Sequence, residues 1–118
     1  MKTNLPESPA KFARKNPKVW ASFEALANEC HTAGPLPDRT RRLAKLGIAI
    51  GAGLEGGVHA HVRNALAEGI TPDEIRHVAL LGMTTIGFPA TMAALTWISD
   101  IVGKSARRPT RKPKTRTR

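Results

Sequence analysis

The 118-residue chain has one cysteine, Cys30, and no tyrosine. A single cysteine excludes a disulfide framework within a subunit, a cysteine-rich zinc site and a two-thiol redox cycle run inside one chain. Aromatic residues make up only 4% of the sequence. The core must therefore rest on Ala, Leu, Ile and Val, a mix that suits packed helices better than sheets. The start lacks a basic-then-apolar leader, so a cytoplasmic location is expected. Uninterrupted apolar runs are also lacking. Residues 78–99 carry no Asp, Glu, Lys or Arg, which on charge alone reads as a membrane span. Gly87-Phe88-Pro89 breaks that stretch, and Gly82, Thr84, Thr85, Thr91 and Thr96 dilute it, so no membrane partner is expected.

Acidic residues are missing from one end. Residues 104–118 hold eight Lys or Arg and no Asp or Glu. Residues 1–103 hold eleven basic and nine acidic residues, a net of +2, so the overall +10 belongs mostly to the tail. A segment rich in Lys, Arg, Thr and Pro cannot collapse. The expected organisation is a single helical domain over residues 1–103 and a disordered basic tail over residues 104–118. Such a tail can hold nucleic acid non-specifically by neutralising phosphates. It has no interleaved aromatics to stack on bases, and a merely solubilising extension is the alternative.

What is present reads as helices. Ser8-Pro9 starts a short one. Pro17, with Asn16 as cap, opens another that runs to about Cys30. Its inward stripe is Val19, Phe23, Leu26 and Cys30, which makes Cys30 a small buried hydrophobe. Gly34-Pro35-Leu36-Pro37 forces a loop. Asp38 caps a helix over about 39–51 with Leu43, Leu46 and Ile50 on one side. Gly51, Gly53, Gly56 and Gly57 mark a junction. The next helix runs from Leu54 or Glu55 to Glu68, and Gly69 ends it. Thr71-Pro72-Asp73-Glu74 is a capping box with proline at the first position, opening a helix to about Ile86. The Gly87-Phe88-Pro89 turn starts the last helix, which ends near Val102. These last two are apolar nearly all round. A body of this size has little interior to hide both, which points to a subunit interface in a symmetric homo-oligomer.

Two histidines stand near the junction. On a helix, His61 lies with Leu54, Val58 and Ala65 and flanks the packing face. His59 is rotated about 200° from it and points elsewhere with Arg63. The two rings diverge, so His-x-His does not chelate here. Glu55 and His59 are one turn apart and can pair, with little gain if exposed. No metal site is expected from this spacing.

An ordered series carries a family likeness. Leu36-Pro37-Asp38-Arg39-Thr40-Arg41-Arg42-Leu43, the glycine-rich junction, His61-Val62-Arg63-Asn64-Ala65-Leu66, Glu68-Gly69-Ile70-Thr71-Pro72-Asp73-Glu74-Ile75 and Gly87-Phe88-Pro89-Ala90 follow one another with matching gaps. Together they resemble the carboxymuconolactone decarboxylase family, which includes the alkylhydroperoxidase D-like proteins, over roughly residues 17–100. The resemblance implies an all-α, alkylhydroperoxidase D-like bundle of about five to six helices, assembled as a homotrimer or homohexamer. It places the active site at the start of the helix that begins near Glu55. In the peroxidase branch that start carries Cys-x-x-Cys, with a His four residues after the second Cys. Thiolates there are favoured by the helix N-terminus.

In this chain the two cysteine positions are Leu54 and Gly57, and the branch's Glu in the preceding helix is matched by Arg42. Only the histidine is kept, as His61. The decarboxylase branch needs no thiol and no cofactor. There the resemblance implies acid–base work on a small lactone or carboxylic acid. His61 is then the expected general acid or base, and Glu55 the nearest carboxylate, although that branch would place its Glu at Gly57. Arg42 and His59 are the expected substrate-binding groups. Other readings are a catalytically silent relative, an antioxidant alkylhydroperoxidase or peroxiredoxin-type enzyme by family association, and a non-catalytic oligomer that tethers nucleic acid with its tails.

Overall fold

The computed structural model describes residues 8–106. Among these residues there are six α-helices, one 3-10 turn and no strand, the all-α class expected from the sequence. The helices are α1 (Pro9–Lys15), α2 (Pro17–Thr32), α3 (Asp38–Ala52), α4 (Glu55–Ala67), α5 (Pro72–Leu81) and α6 (Phe88–Ala106), with the 3-10 turn at Gly82–Thr84. The chain divides into two units between Leu36 and Pro37. None of its helices is long and apolar enough to cross a membrane, among the described residues. Residues 107–118, most of the expected basic tail, lie outside the described residues.

The first unit contains α1 and α2. Ser8 caps α1 by accepting the Lys11 N–H at 3.2 Å. Asn16 occupies the cap position of α2 without capping it. Its side-chain amide donates instead to the Phe12 carbonyl at 3.3 Å and closes α1. Phe12, Trp20 and Phe23 form a short aromatic chain, with centroids 6.2 Å and 5.5 Å apart. No residue of either helix is buried. Val19, Phe23 and Leu26 are more than half exposed, and Cys30 is exposed as well, which corrects the expectation of a buried thiol. Helical period decides which side chains share a face; it does not decide whether another element covers that face.

The second unit holds the core, and each helix supplies one stripe at helical spacing. α3 gives Leu46, Ala49 and Ile50; α4 gives Val58, Val62 and Ala65; α5 gives Ile75 and Ala79; α6 gives Ala94, Ile98 and Val102. All are at most 5% exposed. Each fully buried aliphatic side chain of this size contributes about 1.5–3 kcal/mol, and the interspersed alanines leave room for the helices to approach.

Local chemistry sets the boundaries. Asp38 is the first residue of α3 rather than its cap, with Pro37 at the cap position. The Thr71–Glu74 capping box is complete: the Glu74 N–H reaches Thr71 Oγ1 at 3.1 Å and the Thr71 N–H reaches Glu74 Oε1 at 2.9 Å. Arg39 of α3 also pairs with Glu74. α5 stops at Leu81, five residues before the expected Ile86. The reason is the Gly82 carbonyl, which collects the N–H groups of Thr85, Ile86 and Gly87 and tightens the chain into the 3-10 turn. Gly87 then takes a positive φ of 97° and leads into α6, which extends to Ala106, past the expected Val102.

Candidate functional site

The turn from α3 to α4 occupies only Gly53 and Leu54. Gly53 adopts the left-handed conformation, φ 69°. Its N–H bonds to the Ile50 carbonyl, and the Leu54 N–H to that of Ala49, in the manner of a Schellman stop. α4 begins at once, with Leu54 as its cap residue. Leucine has no acceptor in its side chain, so the first turn of α4 carries no side-chain cap.

This tight reversal lays the last turns of α3 along the first turns of α4. Lys45, Ile48 and Ala49 from one side and Leu54, Gly57 and His61 from the other line an open cavity of about 190 Å³. That is below the 300–1,000 Å³ or so of drug-sized pockets, and fits a small metabolite. The lining is apolar except for the His61 imidazole and the Lys45 ammonium.

His61 is half-buried, and its Nδ1 is buried without a hydrogen-bond partner among the described residues. Burial holds its pKa below the ordinary 6.5, and the positive charges of Lys45 and Arg42 act in the same direction. The imidazole is therefore neutral at pH 7 and available to take a proton. Arg42 makes its direct ion pair with Glu68 at the end of α4, at 2.9 Å, and acts on His61 through its charge.

The four residues singled out from the sequence do not converge. His61 lines the cavity, and Arg42 lies near enough to influence it. Glu55 and His59 do not line it. His59 Nε2 sits 2.9 Å from Asp100 Oδ2 of α6, and one ligand atom each from Glu55, His59 and Asp100 lie within 4.8 Å of one another. Helix geometry explains the separation. Glu55 and His59 are one turn apart and share a face, whereas His61 lies most of half a turn round from His59.

Sequence reasoning missed Lys45 and Asp100. Lys45 had a usable signal: it is one turn before Ile48 and Ala49 and one turn after Arg42. Asp100 had none, because its partner lies 41 residues away. A second open cavity, about 240 Å³, lies between α3 and α5 around Gly47, Val78 and Gly82. None of its lining side chains titrates, so it offers no proton chemistry.

No thiol stands at the junction, whose residues include Leu54 and Gly57. The carboxymuconolactone decarboxylase family model matches residues 17–100. Comparison with curated proteins and with solved structures gives no significant match. The match spans most of the chain, and the all-helical architecture agrees with it: the chain belongs to the carboxymuconolactone decarboxylase family.

Proposed function

We propose that this family member is a non-redox acid–base enzyme acting on a small lactone or carboxylic acid, with His61 carrying the proton. The observation that supports this reading is a neutral, half-buried imidazole set in a small apolar cavity under the field of two cations, Lys45 and Arg42. Positive charge at the cavity favours a carboxylate substrate and the enolate-like charge that develops on it. For a lactone acid the step balances simply. The substrate binds as its carboxylate and neutral His61 takes up a proton from solvent; the bond between the carboxyl carbon and its neighbour breaks, its electron pair stays on that neighbour, and carbon dioxide leaves. The imidazolium then gives its proton to the carbanion. Leu54 and Gly57 supply no nucleophile or electron pair for peroxide reduction, so the acid–base reading is preferred to the thiol one.

The test is turnover of a carboxylated lactone in deuterated water, followed by NMR for product and for deuterium at the protonated carbon. His61→Asn should lower the rate at least about 100-fold, the usual scale of general acid–base assistance. Absence of both turnover and saturable carboxylate binding would overturn the proposal. So would thiol-dependent hydroperoxide reduction that disappears on Cys30→Ser.

The same reading includes a homotrimer or homohexamer. Its support is the apolar surface of the single chain: Ile48, Leu54, Leu80, Leu81 and Phe88 are all more than half exposed. Light scattering that shows a clean monomer would contradict it.

A further inference from the structure

We infer that Glu55, His59 and Asp100 form a binding site for one divalent transition-metal ion of the zinc type. Among the described residues they are a group of three metal-ligating side chains whose ligand atoms lie within 4.8 Å of one another. Two come from the same face of α4, one turn apart, and the third from α6. Such a set, one imidazole and two carboxylates, matches the nitrogen and oxygen ligands that borderline first-row ions take.

The distances decide how much must move. Bonds of about 2.0–2.2 Å at tetrahedral or octahedral angles put neighbouring ligand atoms about 2.8–3.6 Å apart. His59 Nε2 and Asp100 Oδ2 are already 2.9 Å apart. Glu55 must close a gap of at most 4.8 Å, and it is an exposed side chain with freely rotating bonds. Reaching the ion is therefore a rotamer change that leaves the backbone where it is.

The His59–Asp100 contact accounts for one carboxylate beside the ring. Glu55 brings a second within 4.8 Å of the group, and a cation held among the three offsets the repulsion between the two carboxylates. On binding, the hydrogen bond between His59 and Asp100 is exchanged for bonds from both to the metal, which takes the imidazole through Nε2. Three protein ligands leave the remaining positions to water, as in open sites rather than closed structural ones. Glu55 directly follows Leu54, so the ion also fixes the first turn of α4, and with it the Leu54–Gly57 wall of the His61 cavity, to α6.

The experiment uses the full chain without an affinity tag, stripped with chelator. Zinc is titrated by calorimetry and cobalt by visible absorption. One ion per chain is expected, with the cobalt spectrum of a mixed nitrogen and oxygen site. His59→Ala and Asp100→Asn should each weaken binding about 100-fold or more, since losing even an outer-shell partner costs 10–100-fold. Glu55→Gln should weaken it at least about tenfold. His31→Ala and His77→Ala should leave it unchanged. Circular dichroism of the exposed-site variants checks that they fold. Zinc should raise the melting temperature of the parent and not that of His59→Ala. No bound ion, or binding that survives His59→Ala and Asp100→Asn, overturns the site.

Discussion

Gly57→Ala separates the stability of the chain from its use of the cavity. Gly57 lies in the first turn of α4, so alanine gains helix propensity of up to about 1 kcal/mol. A methyl built there meets Leu54 Cβ at 3.3 Å and Ala49 Cβ at 3.5 Å. The second distance is ordinary contact. The first requires Leu54 Cβ to yield by a few tenths of an ångström, which only a small shift of the junction backbone can supply, so strain offsets part of the propensity gain. The expected net effect is therefore between neutral and about 0.5 kcal/mol stabilising. Both neighbours line the cavity, so the methyl enters it. It takes up roughly the share of one water, about 30 Å³, from a space of about 190 Å³. If the bound molecule fills that space, the clash costs about 1–3 kcal/mol, the scale of overpacking. Affinity should then fall about 5- to 150-fold. Urea unfolding reads the first quantity; KM, or the Kd of a competing carboxylate, reads the second. A folded Gly57→Ala chain with unchanged affinity would refute the assignment of the cavity as the binding site. Destabilisation of more than about 2 kcal/mol would instead show that the junction cannot yield.

Three further predictions rest on single side chains. His61 is protonated less readily when folded than when unfolded, so the unfolded chain takes up the proton first as pH falls through 6.5. Stability should therefore decline on acidification below that point, and His61→Asn should flatten this part of a denaturant-midpoint series between about pH 8 and 5. For the same reason the alkaline limb of kcat/KM, where the imidazolium that protonates the carbanion is lost, should lie below 6.5, and Lys45→Met should move it upward by removing one of the charges that lower it; a limb unmoved by Lys45→Met would contradict the field assigned to that residue. Thr71→Ala should cost about 1 kcal/mol by urea unfolding, with Thr71→Ser close to the parent. The Thr71 backbone N–H, the foremost group holding the Glu74 carboxyl below its usual range, survives the alanine change, so the loss is confined to the cap.

Much of the fold is legible in the sequence because its signals are short-range. Pro17 and Pro72 at first helical positions, the Thr71–Glu74 box and the left-handed Gly53 and Gly69 each act within a few residues, so composition and spacing suffice to find them. The stripes of α3 and α4 appear as apolar periodicity for the same reason. The end of α5 was less legible, because the stop depends on one carbonyl gathering three N–H groups rather than on a breaker residue at that point. The site divides along the same line. His61, and the absence of thiols at Leu54 and Gly57, are properties of the sequence.

What surrounds those residues is not. Periodicity puts Val19, Phe23, Leu26 and Cys30 on one face of α2 but does not say that these side chains stay exposed. Neighbourhood in sequence joined Glu55 to His61, yet the turn of α4 sends Glu55 round to His59 and Asp100. Lys45 reaches His61 because the Gly53 turn folds α3 back on α4, and Asp100 reaches His59 because α6 packs along the other side. Local order along the chain is enough to place the helices, the Thr71–Glu74 cap and the chemistry available in the side chains. Only the tertiary structure decided which of those side chains meet, because convergence depends on how separate helices pack, and no local pattern encodes a partner one helix away.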